Sequence, residues 1–467
     1  MSEGQARFLT GSLSRHIATM SLTAAVGLLA LFVVDLVDMV FISMLGVAEL
    51  AAAVGFAGSI LFMTTSVSIG FAIAGGALVA RALGEGNPDR AREVLTHVLA
   101  LGVIFAIGFA AVIFLNLPGL TALVGATGET QTLSIAYLRI LIPTMPILMV
   151  GMIASAALRS HGAANLSMLV TVIGGVVNAV LDPILIFVLH MELEGAAWAS
   201  VAARLSIAGS ALWYITHRFG GLAGRSPTAI FKDTRTIAAF AVPAMLANIA
   251  TPVGSAYVTR AASSFGEEAV AGMAVVGRLT PIAFALIFAM SGAIGPIIGQ
   301  NFGAGQLDRV RDAFRRAIAL CIAYVVPVVA LLFLLRAPIA DLFGAQGTTR
   351  DLIYLFCGPL SLAWVFNGVI FIANASYNNL GHPFYSTWVN WGRNTLGVVP
   401  FVAVGAALWG AAGVLIGQMA GGALMALVAL WLAKRVMDQA ATAPTEPPER
   451  PPFLAHRRAF TMLHHRR

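Results

Sequence analysis

Three aspartates interrupt long apolar stretches in the first half of this 467-residue chain: Asp35, Asp38 and Asp182. A carboxylate within hydrocarbon is costly, so each is a candidate for handling a proton or a small cation. Asp38 follows about twenty apolar or small residues, enough to reach deep into a bilayer. Asp35 sits one turn earlier, and a three-residue step of about 300° puts the two carboxylates on neighbouring faces of one helix. Asn178 and Asp182 are four residues apart and share a face, which sets an amide beside a carboxylate. Pro183 has no N–H, so it frees the carbonyl of Ala179 and breaks the helix locally. Acid, amide and freed carbonyl together suit a proton or small cation; a packing hydrogen bond that pins a kink would use the same residues. Tyr137 and Ser200 place hydroxyls in the fourth and sixth apolar stretches, either to complete that network or to pack helices. Two close aspartates would take up protons as a coupled pair.

The elements carrying these residues follow from composition. Hydrophobic residues make up 59% of the chain and charged residues 10%, and mean hydropathy is +0.87. Soluble domains carry about 25% charged residues, so this is an all-α integral membrane protein. Apolar stretches bounded by turn signals give twelve spans, at roughly 15–45, 51–82, 91–117, 130–158, 163–190, 195–218, 234–264, 268–300, 308–335, 350–379, 384–407 and 410–434. The first is too long and starts too late for a cleaved signal peptide. Cys321 and Cys357 both fall in apolar stretches and read as packing residues rather than a disulfide or metal site.

The chain also repeats itself. Gly84-Glu-Gly-Asn-Pro-Asp-Arg-Ala-Arg-Glu93 recurs 219 residues later as Gly303-Ala-Gly-Gln-Leu-Asp-Arg-Val-Arg-Asp312. Arg159-Ser-His-Gly162 corresponds to Asn378-Asn-Leu-Gly381 at the same offset, and Gly195-Ala-Ala to Gly410-Ala-Ala at a slightly shorter one. Duplication in a multi-span chain marks a transporter with its site near the membrane midplane. Six spans per half, repeated in the same direction, predict two pseudo-symmetric six-helix lobes related by an axis along the membrane normal. The counterparts of Asp35, Asp38 and Asp182 fall near Gly254, Tyr257 and Phe401, so the duplicated scaffold has one acidic centre.

The expected division is a cytoplasmic lead at 1–11, a first lobe at 12–220, a linker at 221–233, a second lobe at 234–435 and a disordered basic tail at 436–467. With a cytoplasmic N-terminus most of the 28 Lys and Arg lie inside, and only Arg336 and Arg350 fall in outside loops. That bias places both termini in the cytoplasm of a plasma or inner membrane. The net charge of +7 is therefore read as topology and attraction to membrane lipid, with no nucleic acid as partner. Arg139, Arg204, Arg260, Arg278 and Arg393 fall within spans. Arg204, close to Ser200, could balance an aspartate. Methionines such as Met63, Met145, Met149, Met273 and Met290 could line an adaptable cavity or fill the core.

These residues resemble the multidrug and toxic compound extrusion (MATE) family of secondary transporters. Val37-Asp38-Met-Val-Phe-Ile-Ser-Met-Leu-Gly46 with Leu50-Ala-Ala is similar to the family's first-helix motif. Gln300-Asn-Phe-Gly-Ala-Gly305 with Asp308-Arg309, its first-half copy Arg81–Arg90, Leu158-Arg-Ser-His-Gly162 and Asn178–Pro183 extend the resemblance over about residues 12–435. It implies a V-shaped pair of six-helix lobes, present as a monomer, exporting organic cations or amphiphiles by alternating access against an inward flow of protons or sodium. Carried over by position, the coupling site is Asp38, Asn178 and Asp182, with Tyr137 and Ser200 in the same network; Asp35, read from its place on the helix alone, is either an outer member of the site or faces a hydrated crevice. One branch of the family uses acids in the seventh and tenth spans. Here Thr251, Asn367 and Asn374 stand in those spans without an internal carboxylate, as in the proton-coupled, DinF-type branch. The first span also lacks the proline that the family often has around Thr23.

The rival readings are a flippase for lipid-linked sugars from the same superfamily, a sodium-coupled exporter, and a membrane-embedded enzyme or channel. Enzyme signals are poor: no His-Glu-x-x-His, Gly-x-Ser-x-Gly or P-loop occurs, so neither a cofactor, a metal centre nor ATP is expected.

Overall fold

The computed structural model describes residues 6–45, 47–223 and 230–442, and every regular element among them is helical. In the first half these are α1 (Leu13–Met44), α2 (Ala48–Gly84), α3 (Pro88–Leu115), α4 (Leu117–Leu123), α5 (Gly128–Leu141), α6 (Met145–Ser160), α7 (Ala164–Pro183) and α8 (Glu192–Arg218). The second half contains α9 (Thr234–Ser263), α10 (Glu267–Ala283), α11 (Ala285–Gly303), α12 (Leu307–Leu342), α13 (Gly347–Cys357), α14 (Trp364–Asn379), α15 (Pro383–Gly392) and α16 (Val399–Thr442). Helices are the expected answer to lipid, where each segment must satisfy its own backbone groups. Ten helical stretches are long and apolar enough to cross a membrane. The last of these holds two limbs, because Trp409 and Gly410 leave the helical region and α16 folds back on itself. With α8 added, this accounts for the twelve spans.

Several spans are broken where the sequence suggests single helices. A 3-10 turn at Ile142–Thr144, built on Pro143, separates α5 from α6. Its repeat copy Pro359–Ala363 separates α13 from α14. Phe284 divides α10 from α11 three residues after Pro281. Proline removes a helix donor, and the span bends at or just after it. At the far end α16 continues to Thr442, beyond the boundary expected at 435. The tail from 443 and part of the linker, 224–229, lie outside the described residues.

The duplication reappears in the turns. Asn87 N–H bonds to Ala82 O, and Gln306 N–H to Asn301 O; each turn needs a glycine in the left-handed region, Gly86 at φ +73° and Gly305 at φ +71°. The same holds for Ala126 N–H to Thr121 O with Ala345 N–H to Ala340 O, and for Ala163 N–H to Leu158 O with His382 N–H to Tyr377 O. Every one of these pairs is separated by 219 residues.

The chain forms two compact units: one contains Met1–Arg7 and Thr23–Met245, the other Phe8–Leu22 and Leu246–Arg467. In the first unit the start of the second half is clamped to α3. Arg90 makes a two-pronged ion pair with Asp233 at 2.7 and 3.0 Å, and buried His97 donates from Nδ1 to Asp233 Oδ2 at 2.6 Å. In the second unit the lead before α1 is held at the repeat-equivalent place. Phe8 N–H donates to Gln300 Oε1 at 2.9 Å, while Arg309 Nη2 donates to Phe8 O at 2.9 Å and Nε to Asn301 Oδ1 at 3.0 Å. Arg90 and Arg309 are the same position in the two copies, and each anchors the segment entering a first helix. Within the second unit the two limbs of α16 and the turn before it meet through small residues. A Cβ on Gly413, Gly417 or Gly421 would strike the carbonyl of Gly405, Phe401 or Gly397 respectively.

Candidate functional site

Helices α1 and α7 run side by side in the first unit. Thr23 Oγ1 donates to Asn165 Oδ1 at 3.4 Å. A Cβ at Gly27 would lie 3.6 Å from Met168 Cα, and one at Gly175 would lie 3.2 Å from Val34 Cγ2. The contacts ascend together along both chains, so the two helices are parallel. One turn further on they bring Asp38 against Asp182. The Asp38 carboxyl lies within hydrogen-bonding reach of the Asp182 carboxyl. Asp182 is fully buried. Asp38 Oδ1 and both oxygens of Asp182 receive no hydrogen bond from an N–H or O–H among the described residues.

The helix break that the sequence suggests at Pro183 is present. Directly after it the chain passes into a π segment, Ile184–Val188, closed by Leu189 N–H to Ile184 O at 2.9 Å. Such segments recur at functional sites. The first turn of α8 supports this one from below: a Cβ at Gly195 would meet Leu185 C and O at 2.8 and 2.9 Å. Asn178 is buried one turn before Asp182, and its Nδ2 has no partner among the described residues. Amide, carboxyl pair and broken helix thus occupy one end of α7.

Tyr137 on α5 is 8% exposed. Its hydroxyl lies against Ser200 of α8, with Asp38 and Asp182 in electrostatic range. Asp38, Asn178, Asp182, Tyr137 and Ser200 therefore gather from α1, α5, α7 and α8. Asp35 lies on α1, and its side chain is outside the described residues. Among the described residues no ion pair joins Arg204 to an aspartate, although its charge lies in electrostatic range of Tyr137. Its Nη1 donates to Leu141 O at 3.0 Å and Thr144 Oγ1 at 2.6 Å, capping the break at Pro143. A broken span leaves carbonyls needing donors, and a long side chain on the neighbouring helix supplies one. The sequence reading also missed Asp233, His97 and the anchored lead. The unusual Asp-Arg pair at both repeat copies was the available signal.

Two facing carboxylates, with three of their four oxygens receiving no donor among the described residues, repel each other when both are charged, and a proton or a small cation between them removes the repulsion. The carboxylates of Asp38 and Asp182, the amide oxygen of Asn178 and the carbonyl freed by Pro183 are all oxygen ligands, suited to a proton or a hard monovalent cation. Among the described residues no cluster of three His, Cys, Asp or Glu side chains could hold a metal ion.

A duplicated multi-span helical body with an acidic pocket at a broken helix has the architecture of a secondary transporter. The family model MatE matches residues 24–184 and 243–422, and the chain belongs to this family. It is a membrane transporter and not an enzyme. It is 26% identical over 446 residues to the FAD transporter of Shewanella oneidensis, covering 94% of this chain and 98% of that one. It is 22% identical over 428 residues to the multidrug export protein MepA of Staphylococcus aureus, covering 90% and 93%. Among solved structures, a MATE transporter in the straight conformation superposes with a TM-score of 0.88 at 23% identity, over 95% of this chain and all of that one. A variant of the Vibrio cholerae MATE transporter VcmN gives 0.87 at 23% identity, over 91% and 97%. These likenesses establish the fold.

Proposed function

We propose that this protein exports amphiphilic aromatic molecules, organic cations among them, across the plasma membrane in exchange for inward-moving protons. The observation that carries the reading is the contact of Asp38 with Asp182 at the break in α7, where neither oxygen of Asp182 receives a hydrogen bond among the described residues. A pair that is stable only with a cation between its members can load from one side and discharge to the other as access alternates. Asn178 would orient the loaded form, and Tyr137 with Ser200 would relay to it. Proton coupling is favoured over sodium by the second half, where α9 carries Thr251 and α14 carries Asn367 and Asn374 without an internal carboxylate, consistent with the DinF-type branch. The relatives described as a multidrug exporter and an FAD transporter support a substrate with fused aromatic rings. Both termini are assigned to the cytoplasm on the distribution of Lys and Arg.

The test uses purified protein in liposomes with a cationic dye, comparing an imposed proton gradient with a sodium gradient. Dye movement driven by protons and lost in Asp182→Asn is the expected result. Movement driven by sodium alone would overturn the proton reading. No movement under either gradient would favour the lipid flippase.

A further inference from the structure

Both halves break the helix in their fifth span, and each break holds a charged residue. In the first half α7 ends in Asp182-Pro183 and enters the π segment Ile184–Val188. In the second, α15 enters the π segment Arg393–Gly397. At about 1.5 Å per residue, Arg393 lies about 15 Å along the span from Pro383, half of a hydrocarbon thickness of about 30 Å. A guanidinium at that depth needs a reason.

Its surroundings do not supply a counter-charge. Arg393 Nη1 donates to Asn367 Oδ1 at 2.8 Å, and the guanidinium carbon stands 5.8 Å from the centroid of the Phe371 ring. No carboxylate faces it among the described residues, and the residue as a whole keeps some exposure. Arg204 offers the contrast, since it spends its donors on the carbonyl and hydroxyl at a helix break. Arg393 is instead held by one neutral amide.

The neighbouring face of α14 is built for an aromatic guest. Asn367, Phe371 and Asn374 are spaced four and three residues apart, so they share that face. Asn374 Oδ1 is buried and accepts no hydrogen bond among the described residues. Phe371 continues to Phe288 at 5.4 Å and Phe288 to Trp364 at 5.6 Å, and the indole Nε1 of Trp364 is also buried without a partner. A guanidinium recognises a carboxylate or phosphate through paired N–H groups. Rings beside it take the planar part of the same molecule.

We infer that Arg393, oriented by Asn367 and set beside the Phe371 ring, is an anion-recognising subsite that binds the carboxylate or phosphate of an aromatic amphiphile. The inference rests on the exporter reading above and names a substrate class for it. The two breaks then have separate tasks: the acidic one handles the driving cation, and the basic one adds aromatic anions to the range of cargo.

Equilibrium binding separates this claim from transport. Full-length protein in lipid nanodiscs, with no gradient, is titrated with riboflavin and with riboflavin 5′-phosphate and followed by flavin fluorescence polarisation. The phosphate form should bind about tenfold or more tighter, the scale of one or two charge-assisted hydrogen bonds. Arg393→Gln should abolish the preference, and Arg393→Lys should keep part of it. Asn367→Leu, which keeps the charge but removes its orienting oxygen, should reduce the preference and serves if Arg393→Gln does not fold. Equal affinities for the two flavins in the wild type, or an undiminished preference in folded Arg393→Gln, would overturn the subsite. Pyrenebutyrate against its amide repeats the comparison for a carboxylate: a preference there shows that the subsite takes both anions, and none there restricts it to phosphate. Because binding is read with no gradient imposed, loss of gradient-driven transport in Asp182→Asn bears on coupling and not on this subsite.

Discussion

Replacing Asp233 by alanine should destabilise the first unit by an amount that its surroundings fix. The carboxylate accepts two bonds from Arg90 and one from His97. His97 is 1% exposed and its Nε2 already lacks a partner among the described residues. Asp233→Ala therefore leaves a buried imidazole with neither nitrogen bonded, at a cost of about 1–3 kcal/mol. The Arg90 side chain is 35% exposed, so water replaces most of its lost partner and adds only about 0–1 kcal/mol. The sum is about 1–4 kcal/mol, or roughly 2–16 °C in melting temperature for a unit of this size. Arg90→Ala alone should also destabilise, because it strands a buried carboxylate beside a histidine. Once Asp233 is gone, however, Arg90→Ala should cost no more than about 0.5 kcal/mol further. Thermal unfolding of the purified single and double variants in detergent measures all three. A melting point for Asp233→Ala within a degree of wild type, or fully additive effects in the double variant, would refute the clamp.

Gly417→Val should prevent the limbs of α16 from closing, since the added Cβ falls on Phe401 O; the expected outcome is loss of monodisperse protein on size exclusion, and wild-type yield and melting would contradict the close approach. Asp38→Asn and Asp182→Asn should each abolish proton-driven dye movement while leaving surface expression largely intact, with a smaller loss for Asp35→Asn; full transport in Asp38→Asn would remove it from the mechanism. His161, stacked on Phe219 at 4.5 Å, is held down to about 4 by burial, with the charge of Arg7 adding to the effect. The folded protein therefore binds fewer protons than the unfolded chain between about pH 4 and 6.5, so this residue's stabilisation is complete above pH 6.5 and declines toward pH 4, losing about 2 kcal/mol between pH 7 and 5. Melting curves across that range should flatten in His161→Phe, and an unchanged pH profile would exclude the histidine as their cause.

Much of the fold is written locally. Apolar length fixes the number of spans, and the matched glycines at 86 and 305, or 162 and 381, fix the turns, because only glycine enters the left-handed region without strain. The further pair Gly125-Ala-Thr-Gly128 and Gly344-Ala-Gln-Gly347 was present in the sequence too, but four residues are too few to stand out before their turns superpose. The acids were equally visible, since a carboxylate is conspicuous among leucines and valines. Pro183 announced the break in α7, and Pro400, three residues after the π segment Arg393–Gly397, deprives the carbonyl of Leu396 of its helical donor without marking where that segment begins.

Partnership was not legible. Arg204 lies four residues from Ser200 and looks available to an aspartate, yet it belongs to the carbonyl of Leu141 and the hydroxyl of Thr144, some sixty residues away. Phe8 reads as part of a polar lead, yet it is buried against Gln300, Asn301 and Arg309. The meeting of Asp38 with Asp182 depends on the register of α1 against α7, set by contacts such as Gly27 on Met168 and Val34 on Gly175. Composition and turn chemistry act over a few residues and so determine the spans, the duplication and which half holds the acids. Helix register arises from packing between segments more than a hundred residues apart, so only the tertiary structure decides which charges face each other and which stand alone.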